Sequence, residues 1–223
     1  MTLKLFLQAI AKFLLGAVLV ALLIFLPAGT LNYFNGWLFM GILFVPMFLA
    51  GIVMMVKNPS LLKSRLNAKE KEAEQSLVVK LSGLMFLVGF ILAGIDFRFG
   101  WTDMPGSVVI ASAVLFIIAY AFYAEVLREN TYLSRAIEVQ EGQKVIDTGL
   151  YGIVRHPMYS ATLLLFMSMP LVLGSVYSFI IFLAYPFIIA KRIRNEEEVL
   201  VRELEGYSEY KNKVKYRLIP FIW

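Results

Sequence analysis

Two polar stretches in the second half of the 223-residue chain hold the residue types best suited to chemistry. The first, DTGLYGIVRHPMY at residues 147–159, contains His156, the only histidine of the chain. The second, KRIRNEEE at residues 191–198, follows the next uncharged block and holds three cations and three carboxylates. We expect the two stretches to face each other as walls of one site, which would offer groups of both charges to a ligand.

The other residue types exclude several classes of site. The chain has no cysteine, which excludes disulfides and thiolate metal sites, and one histidine cannot form a multi-histidine metal site. The glycine-rich signatures of Rossmann domains and P-loops do not occur, nor does the nucleophile elbow. We therefore predict no metal ion and no nucleic-acid partner. The chemistry is expected to come from an organic cofactor or from carboxylates and cations.

Each candidate side chain also has a purely structural interpretation. Arg192 lies four residues before Glu196, so one helix face would carry both, and a surface ion pair there contributes only about 0.2–0.5 kcal/mol. Pro157 suits the first turn of a helix that His156 could cap. Two tyrosines could pack at a membrane interface instead of binding a ligand: Tyr151 and Tyr159. Four further charges are expected to be solvated or lipid-facing: Arg155, Arg194, Glu197 and Glu198.

The composition places these stretches in an integral membrane protein. Hydrophobic residues make up 60% of the chain and the mean hydropathy is +0.74, which is too apolar for a soluble domain. Residues 13–56 carry no charge, and because one span needs about 20 residues, this run predicts two helices joined by a turn. The connector 57–75 is predicted to be an amphipathic helix on the membrane surface. The predicted spans are residues 5–26, 37–56, 77–97 and 105–127.

The last uncharged block, residues 157–190, decides the topology. At about 1.5 Å per residue it is too long for a single span of a ~30 Å hydrocarbon core. Two short helices bent near residues 170–178, around Gly174 and Ser175, would return the chain to the side from which it came. All Lys and Arg residues except Arg98 then fall on one side, which the positive-inside rule makes cytoplasmic.

We therefore predict an all-α, polytopic bundle with four full spans and a C-terminal helical hairpin, which amounts to five or six transmembrane helices. A cytoplasmic helix is predicted to run from residue 191 to about residue 210, and residues 218–223 are predicted to return to the membrane. The chain is expected to be a single domain, with four spans in residues 1–127 and the cofactor-binding and catalytic region in residues 128–223. Both termini and the site are expected to be cytoplasmic.

Four motifs between residues 149 and 222 resemble those of a known family. They are G-x-Y-x-x-x-R-H-P-x-Y from residue 149, R-x-x-x-E-E-x-x-L from residue 192, G-Y-x-x-Y from residue 206 and I-P-F-I from residue 219. In this order they resemble the isoprenylcysteine carboxyl methyltransferases and the related phospholipid methyltransferases. The resemblance implies S-adenosylmethionine as the cofactor and a lipid or lipidated acceptor at the bilayer.

The resemblance also implies roles for individual residues. Arg192 is implied to hold the carboxylate of the substrate. For a cofactor that carries an ammonium group, the Glu196 carboxylate is a suitable partner, because the two would form a charge-assisted hydrogen bond. The further cofactor contacts that it implies are Gln143, Lys144, Val145 and Ile146 through the backbone, together with Tyr151, His156, Pro157, Met158 and Tyr159.

The primary hypothesis is therefore S-adenosylmethionine-dependent O-methylation of the carboxylate of an isoprenylcysteine-like substrate, with Arg192 and Glu196 as the active-site pair. A carboxylate is already ionised at pH 7, so its attack on a methyl group requires positioning and desolvation rather than a base. Three alternatives are N-methylation of a phospholipid amine, a sterol-type reductase that uses NADPH, and a membrane scaffold or small transporter without enzymatic activity.

Overall fold

The computed structural model describes residues 3–66, 73–133 and 139–223, and every regular element in those ranges is a helix. Apolar runs form the long helices, and glycine, proline and polar residues separate them. In chain order the helices are α1 (Leu3–Ala28), α2 (Phe34–Lys57), α3 (Pro59–Leu66), α4 (Ala73–Phe99), α5 (Gly106–Glu129), a 3₁₀ turn (Gly149–Gly152), α6 (Pro157–Val172), α7 (Val176–Phe182), α8 (Tyr185–Glu203) and α9 (Tyr207–Lys213).

Five segments within the described ranges are long and apolar enough to cross a membrane. Four of them lie in α1, α2, α4 and α5 and correspond to the four predicted spans. The fifth is Val176–Glu203, and the apolar helix Pro157–Val172 before it is shorter. The predicted polytopic helical bundle with five or six membrane helices is confirmed.

The turn between α6 and α7 is a polar junction at the end of the bundle opposite the two polar stretches. Gly174 has a left-handed backbone (φ 77°), and the Ser175 hydroxyl caps α7 by accepting a hydrogen bond from the Ser178 amide at 3.0 Å. The same Ser175 hydroxyl donates to the buried Asp96 carboxylate at 2.5 Å, and the Thr102 amide and hydroxyl donate to it at 2.8 and 2.7 Å. The α6–α7 turn therefore lies beside the α4–α5 turn, and α8 runs back toward His156, as the predicted hairpin requires.

The core between the helices is aromatic. Phe39, Phe116 and Phe182 are fully buried and come from α2, α5 and α7. Gly89 of α4 allows α7 to pack closely, because a Cβ at that position would lie 2.4 Å from the Phe182 ring. These contacts hold α2, α4, α5 and α7 together, and the two helices that carry the polar stretches, α6 and α8, pack against α5 and α4.

The predicted C-terminal helix and the predicted connector helix have different outcomes in the structure. The helix predicted to continue from residue 191 to about residue 210 ends at Glu203, and α9 begins at Tyr207. Leu204 ends α8 with an extended backbone, and Gly206, with a left-handed backbone (φ 81°), precedes α9. In the connector, α3 buries Leu61 and Leu62 and exposes Lys63, as an amphipathic helix does, while residues 67–72 lie outside the described ranges.

Candidate functional site

The two polar stretches line one open cavity of about 820 Å³, part of which is open solvent. Its walls come from the end of α5, the loop at residues 143–146, the 3₁₀ turn, the start of α6, and α8 with α9. The lining residues predicted from the sequence are Gln143, Lys144, Val145, Ile146, Tyr151, His156, Met158, Tyr159, Arg192 and Glu196. Pro157 begins α6 as predicted but is buried in the helix packing and is not among the lining residues.

The 3₁₀ turn is held in place by the end of α5. Both carboxylate oxygens of Glu129 accept hydrogen bonds from the Leu150 amide, at 3.2 and 3.0 Å. Gly149 has a left-handed backbone (φ 53°), which brings its Cα so close to Glu129 that a Cβ there would overlap the carboxylate. Tyr151 is anchored twice, since its hydroxyl accepts from the side-chain amide of Asn130 at 3.0 Å and its carbonyl accepts from the Tyr210 hydroxyl at 2.8 Å.

A chain of hydrogen bonds joins Arg192 to Glu196 through Tyr159. The Arg192 Nε–H donates to the Tyr159 hydroxyl at 2.9 Å, and that hydroxyl donates to Glu196 Oε2 at 2.5 Å. Tyr159 is buried, whereas the Glu196 side chain keeps 22% exposure to the cavity side. The predicted active-site pair is thus four residues apart on α8 and is bridged by a residue of the first polar stretch.

Behind this wall, Glu197 is the centre of a buried ion cluster. Glu197 Oε1 accepts from Arg155 Nε at 2.7 Å, and Oε2 accepts from Arg217 Nε at 3.0 Å. Lys211 Nζ lies 3.8 Å from the same carboxylate. The expectation that Arg155 and Glu197 are solvated or lipid-facing is wrong, because they are 6% and 3% exposed and pair with each other. The same expectation for Arg194, which is exposed, holds.

The cluster also ties the end of the chain to the cavity wall. The Arg155 guanidinium donates to the carbonyls of Val214 and Lys215 at 2.6 and 2.8 Å. The amides of Arg155 and His156 donate to the carbonyls of residues 216 and 217, both at 2.9 Å. Charged hydrogen bonds of this kind are about twice as strong as neutral ones. Residues 214–217 therefore act as a strap across the start of α6.

The backbone of His156 precedes α6, but its side chain does not cap that helix. It occupies the N-cap position of α6, but its side chain makes no capping hydrogen bond. Its imidazole instead lies 3.3 Å from Glu197 Oε1 through Nε2 and 3.9 Å from Glu196 Oε1 through Nδ1. The His156 side chain therefore does not act as a helix cap; it faces both carboxylates and lines the cavity.

The cavity has further walls that the sequence analysis did not single out. After the break that follows α8, Leu204 and Tyr207 pack with Tyr210 and Val214 in an apolar cluster. Val145 and Leu200 pack against this cluster. The motif G-Y-x-x-Y at residues 206–210 was the available signal for this wall, but its spacing alone does not show which way the tyrosines face. The lining residues missed in this way are Asn130, Tyr132, Leu133, Leu200, Leu204, Tyr207 and Tyr210, with Arg155 from the ion cluster.

The cavity therefore has a charged half, around Arg192, Glu196 and His156, and an apolar, aromatic half, around Leu204 and Tyr207. Comparison with known proteins bears on what occupies it. Residues 103–206 match the family model for phospholipid methyltransferases. The matched range runs through α5, the 3₁₀ turn and α6 to α8, so it contains most of the cavity wall. This match supports a membrane methyltransferase.

A curated relative is similar to part of the same chain. The Delta(14)-sterol reductase of Mus musculus is 28% identical over 90 residues, which cover 39% of this chain and 22% of the reductase. The match therefore spans only about a fifth of the length of that relative. The name of this relative describes a different reaction class, so this partial similarity does not by itself identify the chemistry.

Proposed function

We propose that this protein is an S-adenosylmethionine-dependent methyltransferase that modifies a lipid-linked acceptor at the membrane surface. The observation that carries the proposal is the single cavity in which Arg192, Tyr159 and Glu196 form one hydrogen-bonded chain, within a range that matches the phospholipid methyltransferase family. A site of this kind offers an anion and a cation side by side at one end of the membrane helices.

The residues present suit this cofactor. Its ammonium and carboxylate groups need partners of opposite charge, and the cavity lining includes the Glu196 carboxylate and the Arg155 guanidinium. Its adenine needs an apolar slot, for which Val145, Leu200 and Leu204 are available. When bound, the cofactor supplies an electrophilic methyl group.

For the acceptor, we propose a carboxylate of the isoprenylcysteine type. The planar guanidinium of Arg192 matches a carboxylate, and its Nε–H bond to Tyr159 fixes its orientation. An ionised carboxylate needs no proton removed, so the chain has to supply only orientation and exclusion of water. Tyr159 and Met158, at the start of α6, line the cavity and would exclude water from it.

A phospholipid amine is a second candidate acceptor, which the description of the matched family favours. An amine has to lose a proton before it attacks, because its pKa is near 10. His156 lies between Glu196 and Glu197 in the cavity wall and would be the group to accept that proton. The partial similarity to the mouse sterol reductase supports a competing hypothesis, in which the cavity binds a nicotinamide cofactor.

Two measurements separate these candidates. The purified protein should gain thermal stability with S-adenosylmethionine or S-adenosylhomocysteine and not with NADPH; stabilisation by NADPH alone would reject a methyltransferase. Single-turnover methyl transfer to a prenylcysteine analogue and to phosphatidylethanolamine should then show transfer to the carboxylate, with a rate nearly flat between about pH 6 and 9. Transfer to the amine alone, with a rate that rises across that range, would reject the carboxylate acceptor.

A further inference from the structure

One of the tyrosines that line the cavity has a hydroxyl without a hydrogen-bond partner. Tyr207 is 4% exposed, and its hydroxyl is the one buried side-chain oxygen or nitrogen in the described part of the chain for which the structure shows no partner. An unpaired buried hydroxyl costs about 1–3 kcal/mol, so native proteins seldom keep one without a function.

The other tyrosines of the same cavity make the contrast clear. Each of their hydroxyls is engaged: that of Tyr132 with the Gly142 carbonyl, Tyr151 with Asn130, Tyr159 with Arg192 and Glu196, and Tyr210 with the Tyr151 carbonyl. Those four tyrosines build the walls. Tyr207 lines the same cavity, but its hydroxyl makes no hydrogen bond to these walls.

The local fold holds Tyr207 where it is. Leu204 ends α8 in an extended conformation, Gly206 is left-handed, and Tyr207 is the first residue of α9. Its ring packs in the apolar cluster with Leu204 and Tyr210, so it cannot swing out to find a partner in solvent without losing that packing. The packing against Leu204 and Tyr210 therefore holds the ring in place beside the cavity that this residue lines.

The electrostatic surroundings define the partner that would suit it. Burial raises the pKa of the Tyr207 phenol, and the neighbouring carboxylates of Glu197 and Glu196 raise it further. The group therefore stays protonated at physiological pH and can donate a hydrogen bond. The same two carboxylates disfavour an anion beside it, so an uncharged oxygen or nitrogen is the better acceptor.

We propose that the Tyr207 hydroxyl donates a hydrogen bond to an uncharged oxygen or nitrogen of the ligand that occupies this cavity. This inference rests on the proposed function, in which that ligand is S-adenosylmethionine and the acceptor belongs to its ribose or adenine. Tyr207 would then be a cofactor-binding residue, and its missing hydrogen bond would be completed by the ligand.

The test compares the wild-type protein with Tyr207→Phe, which keeps the ring and removes only the hydroxyl. Two quantities are measured in the same detergent: the melting temperature without ligand, and the affinity for S-adenosylhomocysteine by calorimetry. Without ligand, Tyr207→Phe should melt at the wild-type temperature or above it, because the substitution removes an unpaired polar group. Its affinity should be about 2- to 13-fold weaker, the range of one neutral hydrogen bond.

Tyr210→Phe is the matched reference, since it removes a hydroxyl that donates to a carbonyl in the structure, and it should lower the melting temperature. If Tyr207→Phe lowers the melting temperature as much, the hydroxyl already has a protein partner and the proposal fails. An affinity loss below about 2-fold would remove the ligand contact, and a loss above about 13-fold would indicate a charged acceptor. If the wild-type protein itself does not bind S-adenosylhomocysteine, the proposed function fails first.

Discussion

Glu196 and Arg192 contact the same tyrosine hydroxyl from opposite sides, and their proposed roles can be separated by substitution. Glu196→Gln keeps the shape of the side chain and removes its charge, so cofactor affinity should fall by about 1.5–3 kcal/mol, the scale of a charge-assisted hydrogen bond. Arg192→Lys keeps the charge but loses the planar fork, so turnover should fall while cofactor affinity stays close to that of the wild type. Calorimetry and single-turnover assays measure the two effects.

Glu198→Gln provides the control for that comparison. Glu198 is exposed on the same helix, and the substitution removes the same charge. It should change neither quantity. Equal losses of cofactor affinity in Glu196→Gln and Arg192→Lys would contradict the division of roles. They would indicate that the hydrogen-bonded chain through Tyr159 acts as one unit.

The Glu197 cluster leads to a prediction about stability. Glu197→Gln would leave the buried Arg155 and the half-buried Arg217 facing each other without a compensating negative charge. Removing one partner of a buried ion pair typically costs about 3–5 kcal/mol, so the melting temperature should fall clearly, and residues 214–217 should become accessible to protease. A melting temperature like that of Glu198→Gln would show that the cluster does not stabilise the fold.

At this scale, the motifs identified the cavity residues of α6 and α8 but not the ion cluster. Glu197 looks like an ordinary surface charge in the sequence because it stands among other charges, and Arg155 does so because it lies in a polar turn at a predicted membrane surface. Their partners come from three separate segments, 20 to 60 positions apart in the chain. Spacing within one helix contains no information on such contacts, so the burial of this pair could be seen only in three dimensions.

At the scale of elements, the 3₁₀ turn depends on glycine at position 149. Gly149→Ala would combine a left-handed backbone (φ 53°), which costs about 1–2 kcal/mol for other residues, with an overlap between the new Cβ and the Glu129 carboxylate. The carboxylate would have to leave the Leu150 amide. We expect a lower melting temperature and weaker cofactor binding, because Tyr151 of this turn lines the cavity.

Gly142→Ala separates the two causes. Gly142 also has a left-handed backbone (φ 71°), but a Cβ there would meet nothing within 4 Å. It should therefore lower the melting temperature less than Gly149→Ala. In a Glu129→Ala background, where the overlap is gone, the further cost of Gly149→Ala should shrink to that of Gly142→Ala. An undiminished cost would show that Glu129 does not limit this position.

The long helices were predictable because a membrane span needs a long uncharged run, and the described ends lie within a few residues of those expected. The hairpin was predictable for the same reason, since residues 157–190 are too long for one span. The break between α8 and α9 was not, because residues 191–210 keep helical charge spacing across it. There an extended residue, Leu204, and a left-handed glycine, Gly206, interrupt the helix, and Leu204 and Tyr207 enter the apolar cluster of the cavity.

At the scale of the whole molecule, the two ends of the bundle differ in charge. One end contains the Asp96 junction, where Ser175 and Thr102 satisfy the carboxylate and Arg98 lies close to Gly29. The other end contains the cavity, the ion cluster and α9 with its lysines. Because basic residues favour the cytoplasmic side, we predict that the cavity end is cytoplasmic.

The absence of cysteine from the sequence makes this orientation directly testable. Single cysteines would be introduced at Asp103, in the exposed α4–α5 turn, and at Glu209, in the exposed face of α9. Neither side chain takes part in the cavity lining or in the ion cluster. In intact cells a membrane-impermeant thiol reagent should label Asp103→Cys and not Glu209→Cys, and after the cells are opened it should label both.

Labelling of Glu209→Cys alone in intact cells would invert the orientation and place the cavity on the outer face. Labelling of both in intact cells would contradict the hairpin, because with the turn at Ser175 three passes of the chain lie between these two positions, formed by α5, by α6 and by α7 with α8, and they put the two positions on opposite sides.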